Sequence, residues 1–167
     1  YLVHRMRQCL DGRLTTFVLD EFQQILRSPF WVEYLNAWLP TIRKRNGHFV
    51  FMTQSPENVV ASPVCATVLN NVATKIYFPN PQADENLYLN ILKLTRAEYQ
   101  IIQSNMPDSR CFLYKQGSES IWCKLDLSSM GDILRVLSGN TKSALLLDEI
   151  ITETGNNPDV WLPIFLK

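Results

Sequence analysis

The stretch Leu14-Thr15-Thr16-Phe17-Val18-Leu19-Asp20-Glu21 decides the fold. Residues 14–19 form an apolar, β-branched run without polar alternation, and it stops abruptly at two carboxylates. Such a run is expected to be a strand buried on both faces, as in parallel sheets. A second one, His48-Phe49-Val50-Phe51-Met52, ends in Thr53-Gln54-Ser55-Pro56. Between the two, Ser28-Pro29 opens a helix, with Ser as N-cap and Pro in the first turn. Trp31, Tyr34, Leu35, Trp38 and Ile42 give that helix its apolar spacing, which carries it to Arg45, with Pro40 kinking or splitting it. Asn46-Gly47 ends it. A buried strand, a helix and a second buried strand mean an α/β fold with a largely parallel sheet.

Working outward, residues 1–10 read as a helix closed by Asp11-Gly12. Downstream, Ser62-Pro63 repeats the capping signal before a helix over 64–72, and 74–78 is a third strand. Two short helices follow, the first capped by Asp84. The second opens with Thr95-Arg96-Ala97-Glu98, the spacing of a capping box. Residues 110–115 and 120–127 flank Gln116-Gly117-Ser118-Glu119 as a β-hairpin, which adds antiparallel strands at one edge. A short helix over 132–137, a longer one from Asn140 or Thr141 to Thr154, and a last turn from Asn157-Pro158 complete the chain. No repeat, low-complexity stretch or clear linker interrupts these 167 residues, so one domain is expected.

Composition excludes several classes. Lys+Arg and Asp+Glu both number 16, so bulk charge does not attract the chain to nucleic acid or anionic lipid. No apolar run approaches the roughly 20 residues needed to cross a bilayer. Cys9, Cys65, Cys111 and Cys123 are scattered, without metal-ligand spacing. They read as small buried hydrophobes, although Cys111 and Cys123 fall on neighbouring strands. His4 and His48 have no triad partner at a recognisable spacing. Phe30, Trp31, Tyr34 and Trp38 read as a core-facing helix stripe, with a base-stacking platform as the other reading.

In open α/β sheets, ligands bind beyond the carboxyl ends of the strands. Asp20-Glu21 at such an end suits phosphate-bond hydrolysis. An Asp there orders the water shell of Mg²⁺, and a Glu orients or deprotonates the attacking water. The plain alternative is an acidic cap for the next helix. Gln54, at the end of the adjacent run, suits contact with a terminal phosphate and the lytic water; its alternative is a simple turn. Taken together, the two ends read as the later half of a RecA-like, nucleotide-hydrolysing motor core. Arg43 and Arg45, in the cluster Arg43-Lys44-Arg45, are candidates for an arginine finger reaching a neighbouring subunit's nucleotide, or simply cations at a helix C-terminus. The one lookalike of a phosphate loop, Ser138-Gly139-Asn140-Thr141-Lys142-Ser143, has Thr141 where the Gly before Lys is needed and lies downstream of the Asp-Glu strand. It reads as a loop and helix start. The true phosphate loop is expected upstream of Tyr1, so that this stretch alone does not hydrolyse ATP.

Val18-Leu19-Asp20-Glu21-Phe22 and the run from Arg43 through Met52-Thr53-Gln54-Ser55-Pro56 resemble the ATPases of type IV secretion systems, of the CagE/TrbE family. Lys75-Ile76-Tyr77-Phe78-Pro79-Asn80-Pro81, Arg110-Cys111-Phe112-Leu113-Tyr114-Lys115-Gln116-Gly117, Leu125-Asp126-Leu127 and Leu134-Arg135-Val136-Leu137-Ser138-Gly139 extend the resemblance over nearly the whole chain. The resemblance implies the C-terminal part of a RecA-like P-loop NTPase core, using ATP and Mg²⁺. It implies a cytoplasmic enzyme, peripheral at the bacterial inner membrane, that powers channel or pilus assembly and transport of protein or DNA. Its partners would be other secretion components and copies of itself, up to a hexamer. It matches Asp20 and Glu21 to the Walker B pair and Gln54 to the sensor Gln, and it puts Arg43 or Arg45 in the place of the trans-acting arginine. Two rivals keep or abandon the chemistry. One is a conjugative coupling protein or DNA translocase, against which the neutral charge argues. The other is a non-catalytic docking module using the Ala144-Leu145-Leu146-Leu147 segment, whose plainer reading is burial in the core.

Overall fold

The structure is a computed structural model, which describes residues 1–137 and 140–166. The chain forms two compact units, residues 1–123 and 124–167. The first opens with helix α1, Leu2–Cys9, followed by strand β1, Thr15–Leu19, the short helix α2, Phe22–Ile25, and α3, Pro29–Trp38. A 3₁₀ turn, Ile42–Arg45, leads into β2, Gly47–Phe51. Helices α4, Pro56–Val60, and α5, Cys65–Asn71, precede β3, Thr74–Tyr77. A π-helical segment, Leu87–Ile91, and α6, Arg96–Ser104, lead to the hairpin of β4, Cys111–Gln116, and β5, Glu119–Lys124. The second unit carries α7, Gly131–Leu137, α8, Thr141–Thr154, and α9, Pro158–Phe165.

β1 and β2 pair in parallel, with Phe17 opposite Phe49 and Leu19 opposite Phe51. The expectation of strands buried on both faces fails here. Burial alternates along both, and Val18 and Val50 are 57% and 40% exposed. Helices cover one face only. There Phe17, Leu19, Phe49 and Phe51 pack against Phe22, Leu35, Trp38 and Leu39. The sheet is also not mostly parallel. β3 pairs antiparallel with β4, Ile76 opposite Tyr114, in a separate three-stranded sheet ordered β3-β4-β5. The hairpin thus recruits the third strand, and the parallel pair stands by itself as a two-stranded sheet. The result is a mixed α/β fold.

Other boundaries moved for local reasons. The helix expected to reach Arg45 ends at Trp38, before Pro40, because Pro lacks an N–H and clashes with the preceding turn. The helix after Ser62-Pro63 starts only at Cys65, with Val64 as N-cap. The last turn is a full helix that accommodates Pro163. The capping box is as expected: Glu98 N–H donates to Thr95 Oγ1 at 3.2 Å, and Thr95 N–H to Glu98 Oε2 at 2.7 Å. Asp84 Oδ1 accepts the Leu87 N–H at 2.7 Å. The four cysteines are unpaired. Of the aromatic stripe, Tyr34 and Trp38 are buried, whereas Phe30 is exposed and stacks on Tyr34. Ala144, Leu145 and Leu146 are exposed rather than buried, since the core-facing residue of α8 is Ile150. Among the described residues no helix is long and apolar enough to cross a membrane.

Candidate nucleotide-facing site at the ends of β1 and β2

Parallel pairing in register places the carboxyl ends of β1 and β2 side by side. Met52 N–H donates to Leu19 O at 3.0 Å, and Phe22 N–H donates to Met52 O at 2.8 Å. The backbone thereby crosses from one strand end to the other twice. It brings Asp20-Glu21 against Thr53-Gln54, which lie more than thirty positions apart in sequence.

Glu21 adopts the left-handed conformation, φ 48° and ψ 45°. A non-glycine residue held there costs about 1–3 kcal/mol, and the surroundings must over-determine it. They do so through both of its oxygens. Gln54 Nε2 donates to Glu21 Oε1 at 2.7 Å, and Gln23 Nε2 donates to Glu21 Oε2. Thr53 Oγ1 in turn donates to Gln23 Oε1 at 2.6 Å, while accepting the Ser55 N–H at 3.1 Å. Every donor in this chain faces an acceptor, which fixes the amide orientation of Gln23.

Asp20 is exposed. Its Oδ1 accepts the Glu21 N–H at 2.8 Å, leaving Oδ2 without a protein donor among the described residues. An exposed carboxylate of this kind suits a hydrated Mg²⁺, which keeps several waters and takes only one or two protein carboxylates. No group of three or more His, Cys, Asp or Glu among the described residues forms a metal cage. The second oxygen of Asp20 is the donor that such a hydrated ion would use. The site can hold a carboxylate in one orientation, present a second to a metal's water shell, and offer an amide from the next strand.

The structure unites three of the candidate residues, Asp20, Glu21 and Gln54. It does not bring Arg43 or Arg45 to them. Both are exposed in the 3₁₀ turn before β2, at the opposite end of the strand. Five residues of strand separate the ends by about 16 Å. His48 donates or accepts a hydrogen bond with Thr16 Oγ1 across the open face at 2.9 Å, remote from the strand ends. Asn140 Oδ1 caps α8 through Ser143 N–H at 2.9 Å, and the helix starts at Thr141, within the expected Asn140–Thr141 start. The Ser138-Gly139 part of that motif lies outside the described residues. Sequence reasoning missed Gln23, a buried polar side chain at 8% exposure. Its neighbour Phe22 is buried and α2 is one turn long, but nothing in the local pattern marks Gln23 as the link between the two strands.

No protein-family model matches the chain. It is 42% identical over 165 residues to the type IV secretion system protein virB4 of Brucella abortus, covering 99% of this chain and 20% of that protein. The virB4 protein of Bartonella henselae is also 42% identical, over 166 residues, covering 99% of the chain and 21% of that protein. The type IV secretion system protein PtlC of Bordetella pertussis is 39% identical, covering 99% and 20%. Among solved structures, that of VirB4 of Thermoanaerobacter pseudethanolicus aligns with a TM-score of 0.61 at 20% identity, covering 75% of this chain and 35% of that one. At that identity the likeness concerns the fold alone. The chain spans about one fifth of the length of the curated relatives it matches. Over the stretch it shares with them, the chain is similar at 39–42% identity to the VirB4 and PtlC proteins of type IV secretion systems.

Proposed function

We propose that this chain is the later part of a RecA-like ATPase core, within a motor that powers a bacterial type IV secretion system. The observation that carries the reading is the 2.7 Å bond from Gln54 Nε2 to Glu21 Oε1, which joins the two strand ends singled out for hydrolysis. Glu21 orients and deprotonates the attacking water. Asp20 holds the water shell of Mg²⁺, and Gln54 senses the terminal phosphate. Bound Mg²⁺ supplies neutralisation of charge developing on the phosphates. Arg43 or Arg45 acts on the nucleotide of a neighbouring copy, since neither reaches its own. The phosphate-binding loop lies upstream of this stretch, which alone is inactive.

The intact enzyme works in the cytoplasm, peripheral at the inner membrane, as a homo-oligomer with other secretion components. The likeness to type IV secretion system proteins supports the association with other secretion components. The test is ATP turnover by the full-length protein. Glu21→Gln is expected to lower kcat by about 10²–10⁴-fold, the range for a lost general base. Turnover unchanged by that substitution sinks the assignment.

A further inference from the structure

We propose that Gln23 is a positioning residue for Glu21, one that ties the orientation of the Glu21 carboxylate to the loop following β2. The inference rests on the reading of Glu21 as the base and goes beyond it. Each Glu21 oxygen has one amide partner. Gln54, which holds Oε1, is exposed and sits in the loop itself. Gln23, which holds Oε2, is buried, and its own acyl oxygen is held by Thr53 of the same loop.

The physical argument starts from rotamer freedom. A Glu side chain turns about three bonds, and a base is effective only when its oxygen is held within hydrogen-bond reach of the water. The left-handed backbone of Glu21 aims the side chain but does not lock it. A buried amide restrains it, because swinging away takes from the Gln23 N–H its acceptor, at a cost of about 1–3 kcal/mol. Gln23 cannot pivot independently either. Its Oε1 accepts from Thr53, whose hydroxyl also accepts from Ser55 N–H just before α4. A shift of residues 53–55 therefore passes to Glu21 by two routes, through Gln54 directly and through Thr53 and Gln23. The loop that reads the phosphate and the carboxylate that activates water move as one hydrogen-bonded unit.

The experiment uses the full-length protein and compares Gln23→Met, Thr53→Val and Glu21→Gln, with steady-state ATP turnover and the Kd for a fluorescent, non-hydrolysable ATP analogue with Mg²⁺. Gln23→Met keeps the length of the side chain and removes both polar atoms. It is expected to lower kcat roughly 10- to 100-fold, the effect of a reacting group misplaced by about an ångström, while the analogue's Kd stays within about twofold. Thr53→Val is expected to lower kcat several-fold, and the double variant to be no worse than Gln23→Met, since both cut the same route. A merely structural role would move Kd and kcat together, or give additive losses, and either result overturns the proposal. If Gln23→Met does not fold, Thr53→Val decides, and an unchanged kcat there refutes the coupling. Loss of turnover in Glu21→Gln with full kcat in Gln23→Met removes the positioning role and leaves the base in place. Full turnover in Glu21→Gln removes both.

Discussion

Lys115→Met tests the energetics of the first unit most sharply. Lys115 Nζ donates to both oxygens of Glu98, at 2.7 and 2.9 Å, and the two side chains are only 11% and 8% exposed. Glu98 closes the capping box of α6, and Lys115 stands on β4, so the pair pins the helix to the antiparallel sheet. Met preserves the aliphatic stem of Lys115 and removes its charge. The Glu98 carboxylate is then left with the Thr95 N–H and Ser120 as its partners. Removing one member of a buried pair costs about 3–5 kcal/mol, against a total stability of roughly 5–15 kcal/mol for a domain. The thermal midpoint is expected to fall on the order of 10 °C.

The assay is urea denaturation of this chain followed by far-ultraviolet circular dichroism, with Glu98→Gln added to complete a double-mutant cycle. Gln at that position still accepts from the Thr95 N–H, and no charge remains buried. The double variant is therefore expected to return to within about 2 kcal/mol of the parent, because an ion pair exchanged for neutral groups is often close to neutral. pH provides an independent check. Burial pushes the Glu98 carboxyl up, but hydrogen bonds from Lys115, the Thr95 N–H and Ser120, with the Lys115 charge, outweigh burial and leave it below its ordinary value of 4.5. A carboxyl lowered on folding contributes fully above its unfolded value and loses that contribution as pH falls through the folded one. The gap between parent and Lys115→Met is expected to be widest while Glu98 is ionised in both, and to narrow as pH falls and the unpaired carboxyl of the variant takes up its proton first. A cost under about 1 kcal/mol, or a double variant less stable than Lys115→Met, refutes the reasoning.

Two further predictions concern other parts of the chain. An added Cβ at Gly47 would lie 2.7 Å from Leu10 Cδ2 and 2.9 Å from the buried Ile42 Cγ1, so Gly47→Ala is expected to destabilise by about 1–3 kcal/mol in the same urea assay. In the full-length protein, Arg43→Ala or Arg45→Ala is expected to lower ATP turnover by about 10³-fold or more if that residue is the finger. Because neither reaches its own strand ends, mixing such a variant with Glu21→Gln should restore part of the activity in mixed oligomers. No gain on mixing argues against action across a subunit boundary.

The sequence by itself determined the local elements and the two polar strand ends. The β-branched runs ending in Asp20-Glu21 and Thr53-Gln54 are strands, because backbone preference and turn chemistry act within a few residues. The Thr95–Glu98 box is legible for the same reason, since both of its partners sit on one helical turn. The tertiary structure decided what the strands pair with and which faces are covered. An unbroken apolar run suggested burial on both faces, but burial depends on which helices pack, and Val18 and Val50 stay open. β3 could continue a parallel sheet or join the hairpin with equal local propensity, and pairing with β4 settled it. Gln23 joined Glu21 to Thr53 only once β1 and β2 lay in register, because a bond across thirty residues of chain is a property of the pairing, not of either segment.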